Sequence, residues 1–334
     1  MAPNKDWKEI VSPDEDARFA VFANQLVELQ RMHTIEGRAG RALHHKMHVG
    51  FEASLEILTD LPEPARHGLF AIPRTYDAWV RFSNGSSLVQ SDDKADIRGL
   101  AVKVLGVDGP KAVGTARTQD FLSILQSVTP FRTADEFMAV VWASRNKWLA
   151  LPRMFFALGF RLFPILSGLK RATGGFVASL LEHSFFSCLP MQCGPYAARF
   201  AWVPLAAPSV PTPNGASRFA DDLTARLRLG AASYALELQF FVDEQRTPIE
   251  DGSVDWPEAV APYVRVAKLV IPQQDAASEH GQRVAERIAQ ASFDPWHALV
   301  EHRPLGGMMR ARKVAYFASA KGRAAREEPN GKMG

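Results

Sequence analysis

Two parts of the chain carry hydrophobic residues at the spacing of α-helices. In residues 13–33, Phe19, Phe22, Leu26 and Leu29 recur three or four positions apart, which predicts an amphipathic helix. Acidic residues fill the first turn of that segment, as is typical of a helix start. The same reasoning predicts further helices over residues 133–151, over 279–293, and from about Gly306 to Arg323.

Shorter runs that partly alternate between apolar and polar residues predict β-strands. They are separated by Pro, Gly and Asp, which interrupt strands and form turns. Short antiparallel strands at this spacing suit a barrel. The predicted strands lie within residues 51–58, 78–85, 99–107, 184–203, 232–245 and 263–274.

Residues 152–186 form a segment rich in Phe and Leu, with Arg153, Arg161, Lys170 and Arg171 interspersed. Prolines interrupt the segment, and no uninterrupted run approaches the ~20 apolar residues that span a bilayer. Two interpretations stay open. The segment is either a buried helical insertion that covers the barrel, or an apolar lid with a basic rim that admits an acyl chain or touches a membrane surface.

The composition is that of a globular protein with a large core, since 47% of the 334 residues are hydrophobic and 22% are charged. A formal net charge of +3 gives no electrostatic case for a nucleic acid partner. Cys188 and Cys193, a lone C-x4-C pair, form neither a four-ligand zinc site nor a disulfide framework. The polar start MAPNKDWKEI lacks a signal segment, so we expect a cytoplasmic protein.

The predicted C-terminal helix carries a tyrosine between two arginines on one face. Arg312 and Tyr316 are four residues apart, and Arg323 lies seven beyond Tyr316. At ~100° per residue these steps bring all three side chains onto one stripe. An arginine one turn away favours the anionic form of a phenol, and such a phenolate is an oxygen ligand for a metal. The alternative is a core tyrosine beside surface arginines.

Four further motifs accompany that tyrosine. They are R-A-L-H at 41–44, V-R-F-S at 80–83, D-I-R-G at 96–99 and R-T-P-I-E-D-G-S-V-D-W-P-E at 246–258. In this order, and followed by R-x-x-x-Y at 312–316, they resemble the haem catalase superfamily. Within that superfamily, the chain looks most like the small bacterial catalase-related proteins. The allene oxide synthases share the fold of this branch.

This resemblance covers roughly Phe19 to Arg323 and implies a fold and a cofactor. The implied class is α+β, a catalase-like closed antiparallel β-barrel with surrounding helices. Residues 1–334 would form a single domain with a helical insertion at about 133–183. The implied cofactor is haem b with its iron, and because members of the family tend to associate, a homo-oligomer is expected.

The resemblance also implies a role for each motif residue. Tyr316 would ligate the iron and Arg312 would hold its phenolate. His44 would move a proton between the oxygens of a bound peroxide, with Ser83 orienting its imidazole. The haem propionates would pair with arginines, which bind carboxylates bidentately; these are Arg41, Arg81 and Arg323. A shift of one residue, from His44 to His45, stays open.

One motif departs from the family pattern. Catalases carry an Asn directly before a Thr and a buried strand, and its amide holds the peroxide. Residues 115–122 place Arg117 at that position, unless Thr118 or Gln119 reaches the site instead. Arg117 is therefore a candidate catalytic residue that argues against efficient hydrogen peroxide dismutation, or else it points to solvent.

We therefore expect a haem-dependent peroxidase that acts on organic hydroperoxides, with fatty-acid hydroperoxides as the favoured substrates and a small reductant as donor. The alternatives are a fatty hydroperoxide isomerase or dehydratase, a weak catalase, and a haem- or lipid-binding module without catalysis. A peripheral contact with membrane or lipid is a further expected partner. Donor dependence separates the first two activities, because an isomerase needs no electron donor.

Overall fold

The computed structural model describes residues 1–32, 40–146 and 148–322. Its α-helices within those ranges are α1 Glu15–Met32, α2 Ala134–Ala143, α3 Ala150–Leu158, α4 Leu162–Thr173, α5 Arg218–Leu229, α6 Glu279–Gln290 and α7 Gly307–Gly322. Its strands are β1 Met47–Ile57, β2 Thr75–Asn84, β3 Arg98–Leu105, β4 Thr118–Ile124, β5 Phe185–Phe186, β6 Met191–Cys193, β7 Tyr196–Ala206, β8 Ala232–Phe240 and β9 Tyr263–Ile271.

Eight strands close into an antiparallel barrel in the order β1, β2, β3, β4, β5, β7, β8, β9 and back to β1. The two-residue strand β5 closes the ring, because it pairs with β4 on one side and with β7 on the other. Strand β6 adds to β7 outside the ring. The α+β class and the closed barrel with helices around it are confirmed.

Alternating side chains explain why these segments are strands. On β1, Val49, Phe51, Ala53 and Leu55 occupy every second position and all belong to the main buried cluster, as the two-residue period of a strand requires. Large aromatic side chains from other strands fill the same cluster, including Trp202. The opposite faces of β2 and β3 pack against α6, so these strands are buried on both sides.

The helices that carry the candidate site pack together at one side of the barrel. Leu26 and Leu29 of α1, Met138 of α2 and Ala315 of α7 share one apolar cluster. Thr133 caps α2, because its hydroxyl accepts a hydrogen bond from the Glu136 backbone N–H. The helix predicted over 133–151 is interrupted in the structure. Helix α2 ends at Ala143, and α3 begins at Ala150 and continues beyond the predicted range.

Two sets of polar contacts stabilise the barrel. In the motif at 96–99, Asp96 accepts hydrogen bonds from the Ser86 and Ile97 backbone N–H groups. Arg98 donates to Asn84 and to backbone carbonyls. A buried ion pair crosses β3 and β4: Lys103 Nζ lies 2.8 Å from Asp120, its direct neighbour in register.

Candidate functional site

A cavity of about 540 Å³ lies between the barrel and the helices α1, α2, α4 and α7. Its size is within the range of cofactor and ligand pockets, ~300–1,000 Å³. Six of the predicted site residues line it together, although they come from three separate stretches of the sequence. They are Arg41, His44, Arg81, Ser83, Arg312 and Tyr316.

His44 is held in the cavity by its backbone and by its ring. It adopts a left-handed conformation (φ 53°), which is uncommon for a residue with a side chain. Its N–H donates to the Gly85 carbonyl at 2.9 Å, and its carbonyl accepts from the Arg81 guanidinium at 2.7 Å. Ring atom Nδ1 lies 3.0 Å from Ser83 Oγ. Ser83 therefore engages Nδ1 and leaves Nε2 as the other ring nitrogen for chemistry.

Gly99 makes room for the His44 ring. A methyl group added at Gly99 would lie 2.6 Å from His44 Cε1 and 2.8 Å from Nδ1. No side chain larger than hydrogen fits at that distance, so the last residue of the 96–99 motif positions His44. This contact between Gly99 and the histidine is not apparent from the sequence, because the two positions lie 55 residues apart in the chain.

The imidazole of His44 is neutral at ordinary pH. Burial lowers its pKa from 6.5 to about 3, and the positive charges of Arg81, Arg312 and Arg41 act in the same direction. A neutral imidazole whose Nδ1 is held by a hydroxyl can accept a proton at Nε2. His44 therefore has the state that a general base requires.

Tyr316 and Arg312 face the cavity from α7. The Arg312 guanidinium donates a hydrogen bond to the Tyr316 phenolic oxygen at 2.8 Å, as their i, i+4 spacing predicts. Met308, Ala311 and Ala315 line the cavity from the same face of the helix. A charged donor at the phenolic oxygen stabilises negative charge there. The third residue of the predicted stripe, Arg323, lies outside the described residues.

The polar part of the cavity is basic. Arg41, Arg81 and Arg312 line it, whereas Asp96 is the single acidic residue among the described lining residues. Arg41 also donates to the Ala291 carbonyl at 2.7 Å. Burial raises the pKa of Asp96, despite hydrogen bonds and the Arg98 charge that lower it. The lining thus contains three guanidinium groups and one carboxyl group, and this excess of positive charge favours an anionic ligand.

Arg117 lies outside the cavity. Its guanidinium binds Asp108 through Nε at 2.6 Å and Nη2 at 3.0 Å, with 52% of its side chain exposed. Gln119 is buried elsewhere, with its amide oxygen accepting from the Leu299 N–H at 2.9 Å, and Thr118 does not line the cavity either. The structure thus favours the solvent-facing alternative for Arg117.

A different residue precedes a threonine on the cavity wall. Val128, Thr129, Pro130 and Phe131 all line the cavity. The signal that could have revealed this position is the order itself, a residue directly before a Thr. Val128 thus contributes an apolar residue to this wall, directly before Thr129.

His44 is the histidine that lines the cavity among the described residues, and the other described histidines lie elsewhere. His45 Nδ1 lies 3.1 Å from the Ser87 carbonyl, and His48 Nε2 lies 2.8 Å from the Asn84 side-chain oxygen. His302 is buried, and its Nε2 accepts from the Leu69 N–H. His44 is therefore the described histidine in contact with the site.

Apolar residues form the remainder of the wall. Leu169 and Ala172 contribute from α4, and Cys188 lies beside them. Burial raises the pKa of the Cys188 thiol to about 12, so it is not a thiolate nucleophile at neutral pH. The cavity therefore combines a group of basic residues and one histidine with a large apolar lining.

Solved catalases share this fold. A fungal catalase aligns with a TM-score of 0.64 and 17% identity over 99% of this chain and 66% of its own. Catalase A from Saccharomyces cerevisiae aligns with a TM-score of 0.64 and 17% identity over 99% of this chain and 68% of its own. A bacterial catalase aligns with a TM-score of 0.59 and 16% identity over 98% of this chain and 63% of its own.

The chain thus spans about two thirds of the length of these catalases. No protein-family model and no curated protein sequence matches it. At this identity the likeness concerns the fold. It defines a catalase-like barrel whose cavity holds the residues described above.

Proposed function

We propose that the protein is a haem-dependent peroxidase that reduces organic hydroperoxides. The observation that carries this proposal is the shared cavity of His44, Ser83, Arg312 and Tyr316. Within it, a histidine base and a tyrosine paired with a guanidinium face the same space. Tyrosine with this support is an iron ligand in catalases.

The lining residues fit haem by chemistry. Tyr316 would hold the iron, with Arg312 stabilising negative charge on its phenolic oxygen. Arg41 and Arg81 would face the two propionates, whose charge complements the basic lining. The apolar walls suit the body of a macrocycle. Haem, when bound, would supply the redox chemistry for cleavage of an O–O bond.

The proton transfer is assigned to His44. Its Nε2 would take the proton of a hydroperoxide ROOH and return a proton to the leaving RO oxygen, giving ROH. Ser83 would hold Nδ1 and keep the ring in position. Overall, ROOH, two electrons and two protons give ROH and water, so a donor must supply the two electrons.

Val128 supports an organic substrate over hydrogen peroxide. An apolar side chain at the wall offers no hydrogen bond to a small, fully polar peroxide, whereas it complements the carbon chain of a larger one. Leu169 and Ala172 extend the apolar wall. We place fatty-acid hydroperoxides first among the organic substrates for this reason.

Turnover by haem-loaded protein tests the proposal. A fatty-acid hydroperoxide and hydrogen peroxide would each be supplied with and without a reducing donor, and the products analysed. Donor-dependent formation of the alcohol ROH is the expected result, with hydrogen peroxide the poorer substrate. Oxygen evolution from hydrogen peroxide would instead identify a catalase, and donor-independent rearrangement would identify an isomerase. If no peroxide reacted, the result would favour a haem- or lipid-binding module without catalysis.

Val128→Asn provides the sharper variant. If the apolar wall sets the preference, the amide should raise activity toward hydrogen peroxide relative to the fatty-acid hydroperoxide. Val314→Asn, at a partly exposed position on α7 outside the cavity, is the matched control. An unchanged preference in Val128→Asn would remove this residue from the argument.

A further inference from the structure

The helices α3 and α4 present an aromatic surface to solvent. We call this surface the aromatic ridge; it comprises Trp148, Leu151, Phe155, Phe156, Phe160, Phe163 and Phe176. Trp148 is 92% exposed, Phe156 96% and Phe160 83%. Three of the rings are adjacent, since the centroid of Phe160 lies 6.2 Å from that of Phe155 and 6.4 Å from that of Phe163. Soluble proteins rarely expose a contiguous apolar surface unless it binds something.

The segment that carries the aromatic ridge is rich in positive charge. Residues 137–181 contain six Lys and Arg residues and no Asp or Glu. The whole chain has 39 basic and 36 acidic residues, so the remainder carries 33 basic against 36 acidic. The charge of this segment is therefore opposite in sign to that of the rest. No salt bridge in the described part of the chain involves Arg153, Lys170 or Arg171.

The segment lies along a surface and does not cross one. Ala150–Thr173 is apolar enough in composition to span a membrane, but it is divided at Gly159, whose φ is 54°. Helices of nine and twelve residues extend only ~14 and ~18 Å at 1.5 Å per residue. Their inward residues, such as Met154 and Ile165, pack in the protein core.

We propose that the aromatic ridge docks the protein on the interface of an anionic phospholipid bilayer. Exposed aromatic and aliphatic side chains would enter the headgroup and upper acyl region. Arg153, Lys170 and Arg171 would contact anionic headgroups, since basic residues near such a surface are attracted to it. The proposal does not depend on haem or on a peroxidase activity.

The charge pattern favours a bilayer over a second copy of this chain. A two-fold interface brings the same surface patch of each subunit together. Arg153, Lys170 and Arg171, in the same segment as the aromatic ridge, would then approach their copies without acidic partners, which is repulsive. An anionic bilayer complements both the apolar and the basic parts of the surface.

The inner face of α4 connects this surface with the cavity. Leu169, Ala172 and Thr173 line the cavity, whereas Phe163 of the same helix is 60% exposed. One helix thus separates the proposed bilayer contact from the proposed substrate site. A lipid-derived ligand could reach the cavity past this helix without first dissolving in water.

Vesicle co-sedimentation tests the proposal with the full-length protein. Vesicles of phosphatidylcholine alone would be compared with vesicles containing about 30 mol% phosphatidylglycerol. We expect binding to the anionic vesicles that weakens as salt rises, with a blue shift and lipid quenching of tryptophan fluorescence. Phe156→Glu/Phe160→Glu should lower the affinity at least about tenfold, and Lys170→Glu/Arg171→Glu should remove the preference for anionic lipid.

Two exposed apolar residues elsewhere supply the matched control. Ile72 is 70% exposed and Leu229 is 65% exposed, both outside residues 137–181. Ile72→Glu/Leu229→Glu should bind vesicles as the unmodified protein does, and circular dichroism would verify that every variant is folded. The proposal would be overturned if Ile72→Glu/Leu229→Glu lost as much vesicle affinity as Phe156→Glu/Phe160→Glu. It would also be overturned if the unmodified protein bound no vesicles. Self-association abolished by Phe156→Glu/Phe160→Glu without vesicle binding would show a protein interface instead.

Discussion

His44 depends on three neighbours that constrain it from different directions. Ser83 engages its ring, Arg81 binds its carbonyl, and Gly99 leaves space for its edge. Its left-handed backbone is maintained by these contacts together with the bond from its N–H to Gly85. Backbone strain of this kind persists only where the surroundings enforce it.

Gly99→Ala should displace the imidazole, because the new methyl would overlap it. We expect at least a tenfold loss of hydroperoxide turnover, with haem content unchanged because the group that would bind iron is on α7. Gly322→Ala is the control, since a methyl there would meet Gln30 only at 3.6 Å, an ordinary contact. If Gly99→Ala left turnover unchanged, the position of the His44 ring would not be important for catalysis.

The pH dependence follows from the lowered pKa of His44. With a pKa of about 3, the imidazole stays neutral as pH falls from 8 to about 4.5. Hydroperoxide cleavage, measured by stopped-flow absorbance, should therefore show no decline centred near 6.5. A midpoint near 6.5 that His44→Gln abolishes would contradict this assignment.

Stability should follow the same shift with a defined sign. The unfolded chain protonates this histidine below its ordinary pKa of 6.5, whereas the folded chain does so only near 3. Within that window the unfolded state binds more protons, so His44 makes the fold less stable as pH falls.

At the scale of elements, α7 connects the candidate site to the N-terminal region. Arg310 donates to Glu15 at 2.6 and 2.9 Å and to Glu9 at 2.6 Å. Glu250 accepts from the Gly307 N–H at 2.6 Å and thereby satisfies a donor at the start of the helix. These contacts fix the end of α7 that precedes Arg312 and Tyr316.

Arg310→Met should destabilise the protein by about 3 kcal/mol, because it leaves the carboxylate of the buried Glu15 without its cation. Urea denaturation followed by circular dichroism measures this free energy of unfolding. Arg265→Met, which breaks a half-exposed pair with Glu237, should change it by less than ~1 kcal/mol. Equal effects of the two variants would argue against a structural role for the Arg310 network.

Elements differ in how far they could be predicted from the sequence. The stripe on α7 follows from a fixed period of 3.6 residues, and strand β1 follows from a period of two residues. Helix α5 was missed, although Phe219, Leu223 and Leu227 repeat every fourth residue and are buried. Strongly polar positions between these residues obscured the pattern.

Tertiary placement accounts for the remaining differences. Whether Arg117 or Val128 faces the cavity depends on which end of β4 is closed by other elements, and local spacing contains no such information. The exposure of Phe156 and Phe160 is also a tertiary outcome, because hydrophobicity alone favours burial. Of the two interpretations left open for residues 152–186, burial therefore applies to the inner face of α3 and α4 but not to their outer face.

At the scale of the molecule, the barrel and the helices have separate roles. The barrel positions Arg81, Ser83 and Gly99 on β2 and β3, whereas α7 contributes Arg312 and Tyr316. The cavity between them would bind haem, and the aromatic ridge on α3 and α4 would face lipid. The fold is catalase-like, and the proposed peroxidase activity and lipid contact would use its cavity and its outer surface, respectively.

The most direct measurement is the absorption spectrum of protein produced with added haem and purified by gel filtration, in unmodified form and as Tyr316→Phe. We predict a Soret band in the unmodified protein that shifts on addition of an organic hydroperoxide, and its loss or displacement in Tyr316→Phe. Tyr263→Phe, on β9 outside the cavity, should retain the original band. No Soret band in the unmodified protein, or one unchanged by Tyr316→Phe, would contradict the proposal that Tyr316 holds haem.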